Sequence, residues 1–233
     1  VFVALDFPRR KQQSAEQKAY NRKLQAKYGV RGFPTILLMD SQGRPFGKTG
    51  YKRGGPEAYL KHLATFQEKR AARDAAFKEA EAATDNVAKA QAYAKGLAAV
   101  ASVSHHYAGI HKKIISLDSE NKAGLKAKSE AILKRIAMQA QTGELRAIIQ
   151  KHGKDFAAMK TDLEKFVSEK NPTGEVKQQA LYYIAMVTFR VESGGDRKKK
   201  PSAAVVEKLK EAMQAAPNSR MGKGIARMLK QLG

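Results

Sequence analysis

The chain has no cysteine in 233 residues. That absence removes disulfides, thiolate nucleophiles and thiolate-ligated metals from anything these residues do alone. Long apolar runs are missing too: none approaches the roughly 18 residues that would suggest a membrane-spanning helix. The chain opens on Val1-Phe2-Val3-Ala4-Leu5-Asp6-Phe7-Pro8, without an initiator methionine, a charged leader or an apolar signal segment, and reads directly as a strand. The expectation is therefore a piece of a longer protein. On that reading the lack of cysteine says nothing about the redox compartment.

Negative charge is scarce as well. Asp and Glu number 22 against 44 Lys and Arg, a formal charge of +22. The excess is 13 to 4 over residues 1–65 and 31 to 18 over residues 66–233, so no single tail carries it. Such a balance attracts nucleic acid, anionic lipid or acidic polymers through a long-ranged, salt-sensitive field. The densest run, Arg197-Lys198-Lys199-Lys200, lies between Ser193-Gly194-Gly195-Asp196 and Pro201. That context is a solvated loop, and it disfavours a dedicated nucleic-acid contact.

The most informative stretch is Tyr28 to Tyr51, YGVRGFPTILLMDSQGRPFGKTGY. Gly29 follows a polar, Ala-rich helical segment and reads as a helix stop in the left-handed conformation. Thr35-Ile36-Leu37-Leu38-Met39 is a continuous apolar run, which predicts a strand covered on both faces. Asp40-Ser41-Gln42-Gly43 is turn chemistry, and Arg44 to Tyr51 a second extended segment, so a hairpin is expected. Pro34 stands where a strand tolerates a missing donor.

The order helix, glycine, Gly32-Phe33-Pro34-Thr35, apolar strand, Gly turn, strand resembles the C-terminal half of the thioredoxin fold. The resemblance extends from Val1 to about Leu63, with Pro56 to Leu63 as the terminal helix. It implies a cis-proline at Pro34 that faces a Cys-x-x-Cys dithiol, with Phe33 pairing its backbone with a substrate peptide. Gly32, Phe33, Pro34 and Thr35 are thus the implied substrate-binding residues. Val1 to Asp6 would be the third strand, and the segment carrying the dithiol would precede Val1. Without the intervening strand, Val1–Asp6 and Thr35–Met39 would either flank a gap or pair directly. An extracytoplasmic location, periplasmic or secreted, follows from the resemblance alone.

Beyond Leu63 the periodicity turns helical. Glu57 to about Thr84 reads as one long helix with Tyr59, Leu63, Phe66, Arg70, Phe77 and Ala80 along a thin stripe. Further helices are expected with inward faces Tyr93/Leu97/Val100, Ile110/Ile114/Leu117, Ile132/Ile136 and Tyr182/Met186/Phe189. Ser104 is the expected cap of a helix from His105 to Leu117. Its Asp118-Ser119-Glu120-Asn121 ending, and a related one near Pro217-Asn218, resemble tetratricopeptide-like helical hairpins, although no segment meets the strict repeat signature. The expected fold is α/β plus all-α. A partial thioredoxin-like domain spans residues 1–65, a linking helix 66–85 and an irregular helical-hairpin domain 86–233.

Catalytic constellations are absent at the level of sequence. His105 and His106 precede His111 by six and five residues, off the spacing of three or four that puts ligands on one helix face, so no metal site is expected and the histidines read as surface or helix-terminal. His152 fits a helix C-terminus. Gly54-Gly55 and Gly194-Gly195 lack the spacing of a phosphate loop, and Ser104 beside His105 lacks an acid and an oxyanion context. No catalytic residue, cofactor or metal is assigned. Three functions remain open: part of a bacterial thiol–disulfide oxidoreductase with a protein-interaction extension, inactive without an upstream dithiol; a non-catalytic peptide- or protein-binding scaffold; or a basic nucleic-acid-associated protein. The expected partners are a protein or peptide at Phe33 and Pro34 and another protein on the helical part.

Overall fold

The computed structural model describes residues 3–8, 10, 12–196 and 198–232. Val1 and Phe2 of the expected first strand, and Arg197 of the basic run, lie outside them. The described chain is mostly helical, with a single two-stranded sheet among the described residues. It divides into two compact units, Val1–Lys134 and Arg135–Gly233.

In the first unit, α1 (Ala15–Lys27) starts where the Ser14 hydroxyl accepts the Gln17 amide at 3.1 Å. It stops at Gly29, whose φ of +59° is the left-handed turn expected there, with the Val30 amide bonded back to the Gln25 carbonyl at 2.9 Å. Strands β1 (Ile36–Met39) and β2 (Pro45–Thr49) form the expected antiparallel hairpin. The turn between them takes Gly43 at φ +72°.

Two expectations about strands need correction. Residues 3–8 form no strand and pair with neither β1 nor β2. The Asp6 carbonyl is instead bonded by side chains, Asn21 at 2.8 Å and Gln13 at 3.0 Å, which ties the segment to α1 without a ladder. β1 is also half-buried rather than covered on both faces. A strand in a two-stranded sheet has one bare edge, and here β2 supplies the deeply buried aromatic, Phe46.

Helix α2 (Gly55–Ala82) runs unbroken through the segment read both as a terminal helix and as a linker. It is followed by α3 (Asn86–Ala99), a 3₁₀ segment (Ala101–His106), α4 (Ala108–Leu117) and α5 (Leu125–His152). Ser104 does not cap α4: it lies inside the 3₁₀ segment, its hydroxyl donating to the Ala101 carbonyl at 3.0 Å. A single apolar core joins the hairpin to the helices, with Leu38 and Phe46 packed among Phe66, Phe77, Tyr93, Leu97, Tyr107 and Ile114. Asp118 anchors the start of α5, accepting the amides of Ala123 and Leu125 at 3.1 and 2.9 Å. Burial pushes its carboxyl up, but those amides and their neighbours outweigh it and hold the pKa below the usual value.

The second unit holds the rest of α5, then α6 (Phe156–Lys170), α7 (Gly174–Ser193), α8 (Ala203–Ala215) and α9 (Arg220–Leu232). Its core runs through Leu163, Phe166, Ala180, Leu181, Ile184, Leu209 and Ile225. The inward face of α7 is therefore Ala180/Leu181/Ile184/Val187, with the expected Tyr182, Met186 and Phe189 only half-buried. α7 packs against both α6 and α8, so apolar residues cover most of its circumference and the sequence pattern does not single out one stripe.

Candidate functional site

Four residues singled out by sequence, Gly32, Phe33, Pro34 and Thr35, sit together where the chain leaves α1 and enters β1. The Phe33–Pro34 peptide is cis. Gly32, Phe33 and Pro34 are exposed, and Phe33 is 61% accessible although its side chain is large and apolar. Phe7 supports it, with ring centroids 4.9 Å apart. The Thr35 hydroxyl closes the turn by donating to the Gly32 carbonyl at 2.7 Å. Among the described residues, no hydrogen bond within the chain engages the Phe33 amide or carbonyl. The result is an aromatic platform with free backbone polar groups, open to solvent.

Its far side is fixed closely. A Cβ on Gly50 would lie 2.7 Å from the Pro34 carbonyl oxygen, so only glycine allows the two segments to approach. The next residue, Tyr51, is 80% exposed. Thr49, which pairs with Ile36, is tied to α2 by a 2.9 Å hydrogen bond between its hydroxyl and His62 Nε2. Phe66, one turn on, covers the bare backbone of Gly47. The loop leading into the platform is backed by His106, whose ring meets Tyr28 edge-on at 5.7 Å. Burial, then the charges of His105, Lys48 and Lys27, lower the His106 pKa to about 4, so the ring is neutral at pH 7.

A buried ionic network that sequence reading missed holds the opposite end of the hairpin. Arg73 of α2 is 0% exposed. Its guanidinium donates to Asp40 Oδ2 at 2.9 Å, to the Tyr107 hydroxyl at 2.6 Å and to Asp74. The Tyr107 hydroxyl in turn donates a hydrogen bond to the Pro45 carbonyl at 2.7 Å. Asp40 also accepts the amides of Gln42 and Arg44 at 3.0 and 2.9 Å and Arg44 Nε at 2.7 Å. Burial raises the Asp40 pKa, but these donors together bring it below the usual carboxylate value. Tyr107 is pushed up, chiefly by burial. An Arg on a charge-rich helix reads as solvent-facing. The only clue was its spacing from Phe66 and Phe77, seven and four residues, which puts it on their face.

The histidines do not converge on a metal: the described residues contain no group of three His, Cys, Asp or Glu able to hold one. His111 contradicts its surface reading. It is 2% exposed, its Nδ1 lies 3.3 Å from the Ser129 hydroxyl, and its Nε2 has no hydrogen-bond partner. One helical turn before Ile114, it faces the same core. His152 ends α5 as expected and contacts Asp162 at 2.7 Å. No described helix is long and apolar enough to cross a membrane.

Comparison with known proteins gives one partial relative. A 58-residue stretch, 25% of the chain, is 38% identical to the disulfide bond reductase DsbH of Chlamydia pneumoniae. The chain covers about a third of that relative's length, 35%. Part of this chain is therefore similar to a disulfide bond reductase. No family model and no solved structure matches.

Proposed function

We propose that this chain is the substrate-facing part of a bacterial thioredoxin-like thiol–disulfide oxidoreductase, whose dithiol lies outside these 233 residues. The observation that carries the reading is the 38% identity to a disulfide bond reductase. The exposed Phe33 ring and the unengaged Phe33 backbone support it. In this account a substrate peptide lies across Gly32, Phe33, Pro34 and Thr35 and borrows the Phe33 amide and carbonyl as a short strand.

Within the proposal, residues 1–65 face the substrate, 66–85 form the linking helix, and 86–233 form a tetratricopeptide-like extension that meets another protein. These divisions are by role, since the apolar core of the hairpin continues into α2, α3 and α4. The location is extracytoplasmic. Sulfur must come from elsewhere, because no side chain here can exchange with a disulfide. The absence of cysteine also favours a second reading, a peptide-binding scaffold without catalysis.

The test is the full-length protein from the native reading frame, assayed for reduction of a disulfide-bonded peptide. Activity that falls at least tenfold in kcat/KM on Phe33→Asp is the expected result. A full-length protein without a dithiol, or one indifferent to Phe33→Asp, overturns it.

A further inference from the structure

A second surface lies wholly within the second unit. Between α7 and α9 lies an open groove of about 590 Å³. Its apolar wall is Tyr182, Met221, Ile225 and Met228, and its floor carries Gly224. The size falls in the range that accepts a large side chain with some flanking backbone, and methionine walls adapt to the shape of what they hold.

Two features of α9 shape this groove. The first is Gly224. A glycine inside a helix is disfavoured relative to alanine, and α4 and α5 carry such glycines at Gly109 and Gly143 without a close neighbour, so at Gly224 it is the position over the groove that counts. Gly222 does have a close neighbour, because a Cβ there would collide with the Ala216 carbonyl. Gly224 has none: its φ is not in the left-handed region, and nothing lies within 4 Å of where its Cβ would stand. Its missing side chain leaves the groove deeper and contributes nothing to packing.

The second is charge. Arg220, Lys223, Arg227 and Lys230 follow one another at helical spacing of three and four, so they form a stripe along the rim beside Met221, Gly224 and Met228. α9 has no carboxylate, and among the described residues none of these four cations is in an ion pair. The only acid lining the groove is Glu175, on the opposite wall.

We propose that this groove docks an acidic amphipathic segment of a partner protein, with a large apolar side chain seated over Gly224 between the methionines and carboxylates along the Arg220–Lys230 stripe. Charge complementarity selects this occupant. A second copy of a chain with 44 Lys and Arg against 22 Asp and Glu would bring like charge to the stripe. Nucleic acid shares the charge, but its phosphate backbone leaves the apolar wall of Met221, Ile225 and Met228 unmatched, and Tyr182 is the single aromatic in the lining on which a base could stack. The proposal concerns a different surface from Phe33–Pro34 and stands or falls separately.

The experiment uses the whole chain with ¹³C-methyl methionine. The probes are a twelve-residue peptide of glutamates with leucine and phenylalanine, the same peptide with lysine for glutamate, the same peptide with serine for the apolar residues, and a twelve-nucleotide oligo-dT. The acidic amphipathic peptide should shift the Met221 and Met228 methyls with a Kd of about 10–100 μM, and the other two peptides should bind at least tenfold more weakly. Gly224→Leu should weaken binding at least tenfold while the melting temperature holds or rises. Arg227→Glu, at an exposed position outside the groove lining, should weaken it without touching the groove. Four outcomes overturn the proposal: equal binding of the lysine or serine peptide, tighter binding of oligo-dT at the same methyls, shifts on concentrating the chain alone, or no methyl shift at millimolar acidic peptide.

Discussion

Replacing Arg73 by methionine tests the ionic clamp behind the platform. The side chain is fully buried, and methionine keeps much of its volume, so the change isolates the polar loss from a cavity. Three partners are affected. Asp74 is partly exposed and regains water at little cost. The Tyr107 hydroxyl keeps its donation to Pro45 but loses the donor at 2.6 Å. Asp40 loses a 2.9 Å ionic bond while retaining Arg44 Nε and two amides. Breaking a buried pair typically costs about 3–5 kcal/mol, and the donors left on Asp40 put this case near the lower end, about 3 kcal/mol. The chain has two compact units, so global melting would blend their transitions. Amide exchange at Leu38, Met39 and Phe46 reads the hairpin directly. A loss of about 3 kcal/mol accelerates it roughly 100-fold. Adding Asp40→Asn to Arg73→Met should restore part of the loss, since the orphaned charge is then gone. Acceleration below about fivefold, under 1 kcal/mol, would refute the view that Arg73 clamps the hairpin.

Three further outcomes are expected. Gln178, 1% exposed, holds the Ala212 and Ala216 carbonyls at 3.1 and 2.9 Å and accepts from Ser219, so Gln178→Leu should cost about 2–3 kcal/mol, read as faster amide exchange in α9. Gly96→Ala, which on an open helix would stabilise, should instead cost about 1–2 kcal/mol, because its Cβ would meet the Phe77 ring and lie 3.2 Å from the Arg73 carbonyl; amide exchange in α3 decides the sign. Burial lowers the pKa of His111 and, with neighbouring cations, takes His106 to about 4; both are neutral in the fold and take a proton near 6.5 when unfolded. Their contribution to stability is present above pH 6.5 and is lost as the pH falls below it, for His106 down to about 4, a slope that His106→Gln with His111→Gln should flatten.

Much of the hairpin was legible because its punctuation is local. Gly29, Gly43 and the apolar run Ile36–Met39 each fix a backbone choice within a few residues. Tertiary choices were not. Arg73 is charged and sits among charges, so only the arrival of Asp40 and Tyr107, more than 30 residues away in either direction, makes its burial sensible. His111 entered the core for an equally nonlocal reason, Ser129 standing opposite it. Ser104 had a cap's chemistry, but the chain turns through a 3₁₀ segment first and α4 begins at Ala108. Val1–Asp6 read as a strand, and a strand needs a neighbour that its described residues, 3–6, do not meet. At the platform, sequence named Gly32 to Thr35 but not Phe7, whose ring supports Phe33 across 26 residues.

The most direct measurement of the central claim is photo-cross-linking from p-benzoylphenylalanine placed at Phe33 of the full-length protein, with a disulfide-bonded peptide as substrate. The account predicts adducts that depend on the peptide, map to residues flanking its disulfide and are competed by unlabelled substrate. Adducts that form equally with a cysteine-free peptide, or none at all while the protein still reduces the substrate, would contradict it.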